Sequence, residues 1–317
     1  RMLLLGFQHM FAMFGATILV PILTGLDVSN TLLFAGLGTL LFHLITGGKV
    51  PAFLGSSFAF LGGYATIAPM LGEQQNIPNL EMLPYACFGV ACAGLVYVIL
   101  AGLFKVFGAK KVMRFFPPIV TGPIIIAIGL NLSSSAINNC TGNWWIAIAA
   151  ILIIVAANIW GKGMIKIIPI LLGVIGSYLL AVIFDADVRA NLVANVSEAK
   201  WFALPIKMEQ TVFGLFASGN VDAHKLLTAV ITIVPLSLAT MVEHIGDVSA
   251  ISSTCNRNYI ENPGLHRTLM GDGLATTLAA LFGAPANTTY GENTGVLALS
   301  RIYDPRVIRI AAVLAMI

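Results

Sequence analysis

Four carboxylates stand in apolar stretches that offer them no obvious loop: Glu243, Asp247, Asp272 and Glu292. An acid at the centre of a bilayer costs about 2.5–3.5 kcal/mol on insertion scales, so one retained there points to a site. Glu243 and Asp247 are four apart, one helical turn, which puts them on one face within reach of each other. Two acids in a site of low dielectric compete for one proton, which suits such a pair to carry it. For Asp247 a structural hydrogen bond is an equal alternative. Asp272 follows Gly271 near the start of an apolar run, where N-capping or helix-dipole complementarity explains it. No Lys or Arg falls deep in an apolar run beside Glu243 or Glu292, so both are read as functional.

The solvent around these acids is lipid. Of 317 residues 58% are hydrophobic and only 10% charged, with a mean hydropathy of +0.90, far above what a soluble domain keeps in water. Runs near the roughly 20 residues that a spanning helix needs recur at 2–23, 32–46, 82–104, 119–132, 144–160, 165–184, 226–251 and 268–282, with another starting near Arg306. A cleavable leader does not explain so many. Two further segments, 51–71 and 284–300, are too polar or too glycine-rich at one end to be ordinary spans.

Basic residues collect on cytoplasmic connections. If both odd segments cross, Arg1, Lys49, Lys105, Lys110, Lys111, Arg114, Lys162, Lys166, Arg257, Arg267, Arg301, Arg306 and Arg309 fall on one side. The other four lie in the long connection 185–225, where the rule is weak. This predicts a multi-pass protein of a bacterial-type cytoplasmic membrane with a cytoplasmic N-terminus. The net charge of +3 follows from that topology and implies no nucleic-acid partner. Cys87, Cys92, Cys140 and Cys255 form neither a metal-ligand spacing nor a disulfide framework.

Two local patterns recur at nearly one offset. Gln8-His9 matches Glu243-His244, and Pro51-Ala52, which opens the first odd segment, matches Pro285-Ala286 at the start of the second. Agreement of offset and context predicts an internal repeat. A first copy over 1–225 holds seven crossings, and an odd number forces the second copy, 226–317, to enter from the opposite side. Such inverted repeats place substrate where broken helices of the two halves meet. The second copy stops within its fourth crossing, so the chain is expected to be C-terminally truncated. The expected fold is therefore an all-α polytopic membrane protein, an inverted 7+7 repeat with two short crossing strands and half-helices at the site.

Each odd segment places an extended, small-residue stretch before a short helix. In PAFLGSSFAF, Gly55, Ser56 and Ser57 precede Phe58; in PANTTYGENTGV, Thr288, Thr289, Tyr290 and Gly291 precede Glu292. Unpaired backbone cannot face lipid, so the stretches must pair with each other or line a cavity. Two strands crossing at mid-membrane aim two half-helix N-termini at one point. There backbone N–H groups donate to substrate carbonyls, Glu243 and Glu292 accept from ring N–H groups, and Phe58 and Tyr290 flank a flat ring. A planar, uncharged amide heterocycle fits this set; an anion, a sugar or a metal ion fits it poorly. His9 and His244, at matching repeat positions, are expected to be buried and hydrogen-bonded.

These motifs resemble the nucleobase-ascorbate transporter family over the whole chain. Gln8-His9 is similar to its first-helix motif, and Glu292-Asn293-Thr294-Gly295 through Ser300-Arg301 to its signature, with Ser300 where Thr is usual. The runs LGSSFAF, EHIG, NPGLHR and NTTYGEN look most like the uracil-transporting branch. The resemblance implies a secondary active transporter with fourteen segments, split into a core of about 1–105 plus 226–317 and a gate of about 115–185. It implies that Glu243 and Glu292 bind the pyrimidine edge, that Phe58 and Tyr290 neighbour the ring, and that backbone amides near Phe58 and Gly291 assist. Asp247, His244, Gln8, His9 and Asn293 are expected to couple the proton or support the site. No cofactor is implied beyond the proton as coupling ion. The expected partners are uracil or a related nucleobase and membrane lipid, with a homodimer left open. Asp247 stands where that branch often has His, as in purine-transporting relatives, which keeps a xanthine-type substrate as the alternative.

Other classes fit less well. Gly271-Asp272 and Tyr303-Asp304 invoke the paired aspartates of intramembrane proteases, but in reversed order and near helix ends, so no enzyme is expected. An anion transporter of the same architecture needs a basic or neutral site where Glu243 and Glu292 stand. The topology makes a direct prediction: a membrane-impermeant thiol reagent applied from outside modifies Ser197→Cys and spares Lys110→Cys, and the opposite labelling overturns the orientation.

Overall fold

A chain with no water to hydrogen-bond its backbone has to bond it internally, and this one does so almost entirely as α-helix. The structure, a computed structural model, describes residues 2–72, 77–112, 140–163, 169–198, 204–219 and 221–317, with scattered positions at 123–138 and at 165–166. Most of the span expected at 119–132 lies outside the described residues. In chain order the principal elements are α1 (Met2–Thr24), α2 (Val28–Ile45), β1 (Leu54–Ser56), α3 (Leu61–Ile67), α4 (Leu83–Phe107), α5 (Trp144–Trp160), α6 (Pro169–Phe184) and α7 (Ala186–Glu198). They continue with α8 (Ala223–Ile233), α9 (Leu236–Cys255), α10 (Leu265–Leu281), β2 (Asn287–Thr289), α11 (Gly291–Ser300) and α12 (Pro305–Met316).

Four described helical stretches are long and apolar enough to cross a membrane: α1, α2, α4, and α8 with α9 as one run over Ala223–Cys255. That run breaks at Pro235, which supplies no N–H to the ladder, and it stops at Asn256, held in the left-handed region at φ 50°. Helix starts carry the expected caps. Asp27 accepts from Asn30 N at 2.9 Å at the head of α2, Asp222 from His224 N at 2.8 Å at the head of α8, and Asp304 from Arg306 N at 2.9 Å at the head of α12. Burial pushes the Asp27 carboxyl up, but Lys207, 2.8 Å away, and the N–H groups of Asn30 and Ser29 outweigh it and hold it below the usual carboxylate range.

The chain divides into two compact units, Arg1–Ile126 with Pro205–Ile317, and Ala127–Leu204. Within the second, α5 and α6 pack where Gly173 and Gly176 meet Ile154 and Ile153. Trp145 and Trp160, at opposite ends of α5, are exposed, as residues of an interfacial aromatic belt are. The connection beyond residue 185 is not a plain loop: it carries α7, too polar to span, and a helical turn at Val212–Ala217.

In the first unit α10 packs along α4 and α2, while α12 packs against α1 and α2. The α4–α10 contact is close because glycines face each other across it. A Cβ on Gly94 would stand 2.7 Å from the Gly273 carbonyl, and one on Gly273 would stand 2.6 Å from the Gly94 carbonyl. Small residues that let helix backbones approach are what hold helices together in lipid, where burial of apolar surface gives no drive. Gly94→Ala and Gly273→Ala should each lower stability by about 1–3 kcal/mol through overpacking, read as a fall in thermal midpoint in detergent. A control on the same helix, Gly102→Ala, which meets no neighbouring atom within 4 Å, should not lower the midpoint, since Ala in a helix interior is favoured over Gly.

Candidate functional site

The two odd segments meet. β1 and β2 pair antiparallel with Leu54 opposite Thr289, Gly55 opposite Thr288 and Ser56 opposite Asn287. The ladder extends one bond at each end, from Ser57 N to Ala286 O at 3.2 Å and from Tyr290 N to Phe53 O at 3.0 Å. After β1 the chain turns through Phe58–Phe60 into α3, and after β2 it enters α11 at Gly291. Both half-helices thus start from one small sheet.

A two-stranded sheet leaves two outer edges, and inside an apolar fold each exposed N–H or C=O there is costly. Side chains satisfy them. Thr39 Oγ1 on α2 accepts from Leu54 N at 2.9 Å and lies 3.4 Å from Leu54 O, to which it donates. On the other edge Asp272 Oδ1 accepts from Thr289 N at 2.8 Å, and Thr276 Oγ1 donates to Asn287 O at 2.9 Å, both from α10. Leu54 and Thr289 form a non-hydrogen-bonded pair of the ladder, which is why their own N–H groups point outward to these partners.

This position of Asp272 corrects the expectation of a residue near a helix start. The helix begins at Leu265, directly after Gly264 at φ +99°, a turn earlier than the apolar run suggests. Asp272 is therefore mid-helix and fully buried. Its second oxygen, Oδ2, lies 3.2 Å from His244 Nδ1, both side chains being inaccessible. His244 Nδ1 is also 3.1 Å from Thr289 Oγ1, and Thr289 Oγ1 donates at the long distance of 3.4 Å to Asp247 Oδ2. A hydroxyl has one proton to give; given to Asp247, it leaves the Thr289 oxygen to accept Nδ1–H of His244. Thr289 thus joins the imidazole of His244 to the carboxylate of Asp247, with Asp272 beside both.

The remaining expected residues fall around the same sheet. Glu243 and Asp247 lie on α9, both partly accessible, and a Cβ on Gly291 would stand 3.3 Å from Asp247 Oδ1. That places the α11 N-terminus against Asp247. Glu292 is the second residue of α11; its side chain lies outside the described residues. His9 Nδ1 on α1 is 3.1 Å from Asn293 Oδ1, an oxygen that only accepts, so the ring donates and ties α1 to the first turn of α11. Gln8 is buried beside it on α1. Tyr290 is buried, accepts from Ala16 N at 3.0 Å, and lays its ring against Gly55, where an added Cβ would come within 3.0 Å. Phe58 is half-buried and packs on the cluster that contains Tyr290, Met10 and Met13.

Sequence reasoning missed Thr39, Thr276 and Asn287, because each acts on backbone remote in sequence, and gave Thr289, whose hydroxyl meets the side chains of His244 and Asp247, no specific partner. A hydroxyl or amide within an otherwise apolar stretch is the signal that was available for them.

Broken helices meeting at a paired strand crossing, with Asp247 and His9 beside the start of α11, are an architecture that membrane transporters use. Residues 1–317 match the Permease family throughout. The chain belongs to that family. It is 40% identical to the uracil permease of Bacillus caldolyticus, over 98% of this chain and 69% of that one. It is 38% identical to the uracil permease of Bacillus subtilis, over 98% and 69%, and 34% identical to that of Escherichia coli, over 99% and 69%. The transmembrane domain of a cyanobacterium bicarbonate transporter, BicA, superposes with a TM-score of 0.66 over 99% of this chain and 80% of that one at 13% identity, a likeness of fold alone.

The edge role of Asp272 is testable apart from transport. Asp272→Ala strands the buried Thr289 N–H and should cost about 1–3 kcal/mol, whereas Asp272→Asn keeps an acceptor and should cost less than half as much in thermal unfolding. Equal losses would show that Asp272 does not hold the strand.

Proposed function

We propose that the protein is a secondary active transporter that imports uracil across the cytoplasmic membrane by proton symport. The observation that carries this reading is 34–40% identity to uracil permeases over at least 98% of the chain, with Glu243 on α9 and Glu292 in the first turn of a half-helix within that shared length. Uracil presents alternating N–H and C=O groups on one edge. Glu243 and Glu292 accept from its N–H groups, backbone N–H near Phe58 and Gly291 donates to its carbonyls, and Phe58 and Tyr290 neighbour the ring. The turn that opens at Phe58, ahead of α3, and the N-terminal end of α11 supply those donors, because the first N–H groups of a helical stretch have no partner within it.

Proton coupling belongs to Asp247, His244 and Asp272, joined through Thr289, with Gln8, His9 and Asn293 supporting the α11 end; no cofactor takes part. The two halves are read as inverted repeats over 1–225 and 226–317, with the core and gate divided as the sequence suggests. The N-terminus is read as cytoplasmic. Asp247, in place of the usual His, favours a xanthine-type nucleobase as the second reading.

Uptake of radiolabelled uracil, competed by xanthine and collapsed by a protonophore, tests substrate and coupling together. Glu243→Ala and Glu292→Ala should each weaken uracil binding one to two decades, since charge-assisted hydrogen bonds contribute roughly 1.5–3 kcal/mol and about 1.4 kcal/mol is tenfold. Glu292→Gln should be milder. Folded, monodisperse Glu292→Ala with wild-type affinity would remove the pocket assignment.

A further inference from the structure

We infer that Asn287 and Gly38 form a positioning lock for this site: the Asn287 amide fastens β2 to the middle of α2, and Gly38 is the opening through which it passes. The inference rests on the proposed reading of the half-helix ends as the substrate site.

Asn287 is buried at 3% exposure, and its Nδ2 donates to Phe34 O at 2.7 Å. A carbonyl only accepts, so the orientation of the amide is fixed by this contact. Phe34 O is also the regular helical acceptor for the N–H of residue 38, so the amide shares that carbonyl within the helix ladder. It reaches the carbonyl because residue 38 has no side chain. A Cβ built on Gly38 would lie 2.0 Å from Asn287 Nδ2 and 3.2 Å from its Cγ. The approach is thus specific to glycine, and its purpose is room for a neighbour rather than backbone freedom.

The same residue is held from two other directions. Its carbonyl accepts from Thr276 on α10, and it stands opposite Ser56 in β1. Thr39 fastens β1 to α2, which precedes it in the chain; Thr276 and Asp272 fasten β2 to α10, which precedes it. Asn287 instead reaches the helix of the opposite half. The ladder fixes the two strands against each other, and Asn287 fixes where the second of them lies against α2, and so where the α11 N-terminus stands relative to that helix. Only three residues separate it from Gly291, and of these Thr289 and Tyr290 are pinned to Asp272 and Phe53. A shift at Asn287 has little slack in which to dissipate before it reaches the α11 end. Asn287 does not touch the proposed substrate position; it acts through the strand.

The test combines affinity with a readout that needs no ligand. Asn287→Ala and Gly38→Ala should each weaken uracil binding at least about tenfold. In the double variant the loss should lie close to that of Asn287→Ala alone, because the new Cβ then has no amide to strike and its nearest remaining neighbour is Ala275 Cβ, at 3.1 Å. In a background with the native cysteines replaced, Gly291→Cys should react with a small thiol reagent several-fold faster once Asn287→Ala or Gly38→Ala is added. Asn287→Asp, isosteric but presenting an acceptor to Phe34 O, should behave like Asn287→Ala. Should Gly38→Ala fail to fold, recovery of folded protein in the double variant supports the lock. Additive losses in the double variant, or folded single variants with unchanged affinity and unchanged labelling, overturn it. A wild-type protein that binds no uracil refutes the proposed substrate, while the labelling comparison still decides the lock.

Discussion

Everything in the first unit is arranged around two lengths of extended backbone placed where no water satisfies them. β1 and β2 bond each other along their inner edges, which is the cheapest solution available to a broken helix in lipid. The outer edges then dictate the polar residues of the neighbouring helices. Thr39, Thr276, Asp272 and Asn287 are buried in apolar surroundings because each completes a strand or ties one to a helix. An exposed edge inside the membrane would otherwise leave orphan N–H and C=O groups costing several kcal/mol each in hydrocarbon.

In the proposed reading, that same constraint also produces the binding site. A helix broken in mid-membrane presents unpaired N–H groups and the positive end of its dipole at a depth where a water-filled loop could not be placed. Pairing the two breaks brings both ends to one locus. The acids of α9 stand beside it, with Asp247 facing the start of α11 at Gly291. Asp272 bonds the strand with one oxygen and stands beside His244 with the other, so one buried side chain on α10 meets both β2 and α9.

Much of this was legible in the residues. Mean hydropathy and the spacing of apolar runs determined a polytopic helical membrane protein, since backbone in lipid has few alternatives. The two proline-led polar segments marked where the helical pattern breaks, which is where the paired strands lie, and Glu243, Asp247, His9 and His244 were recognisable as polar groups in apolar helices that need a reason to be there. Tertiary structure alone decided the rest. Asp272 looks like a cap because apolar periodicity starts at residue 268, but helices start where a breaker permits, here Gly264, and the shift of a turn moves the acid from a helix end to the strand edge. The partners of Thr39, Asp272, Thr276 and Asn287 are backbone groups from 11 to 253 residues away. A backbone amide has the same chemistry at every position, so no residue type in the sequence marks which one is left exposed; only the register of the two strands creates those demands, and only the packed fold shows which side chains meet them.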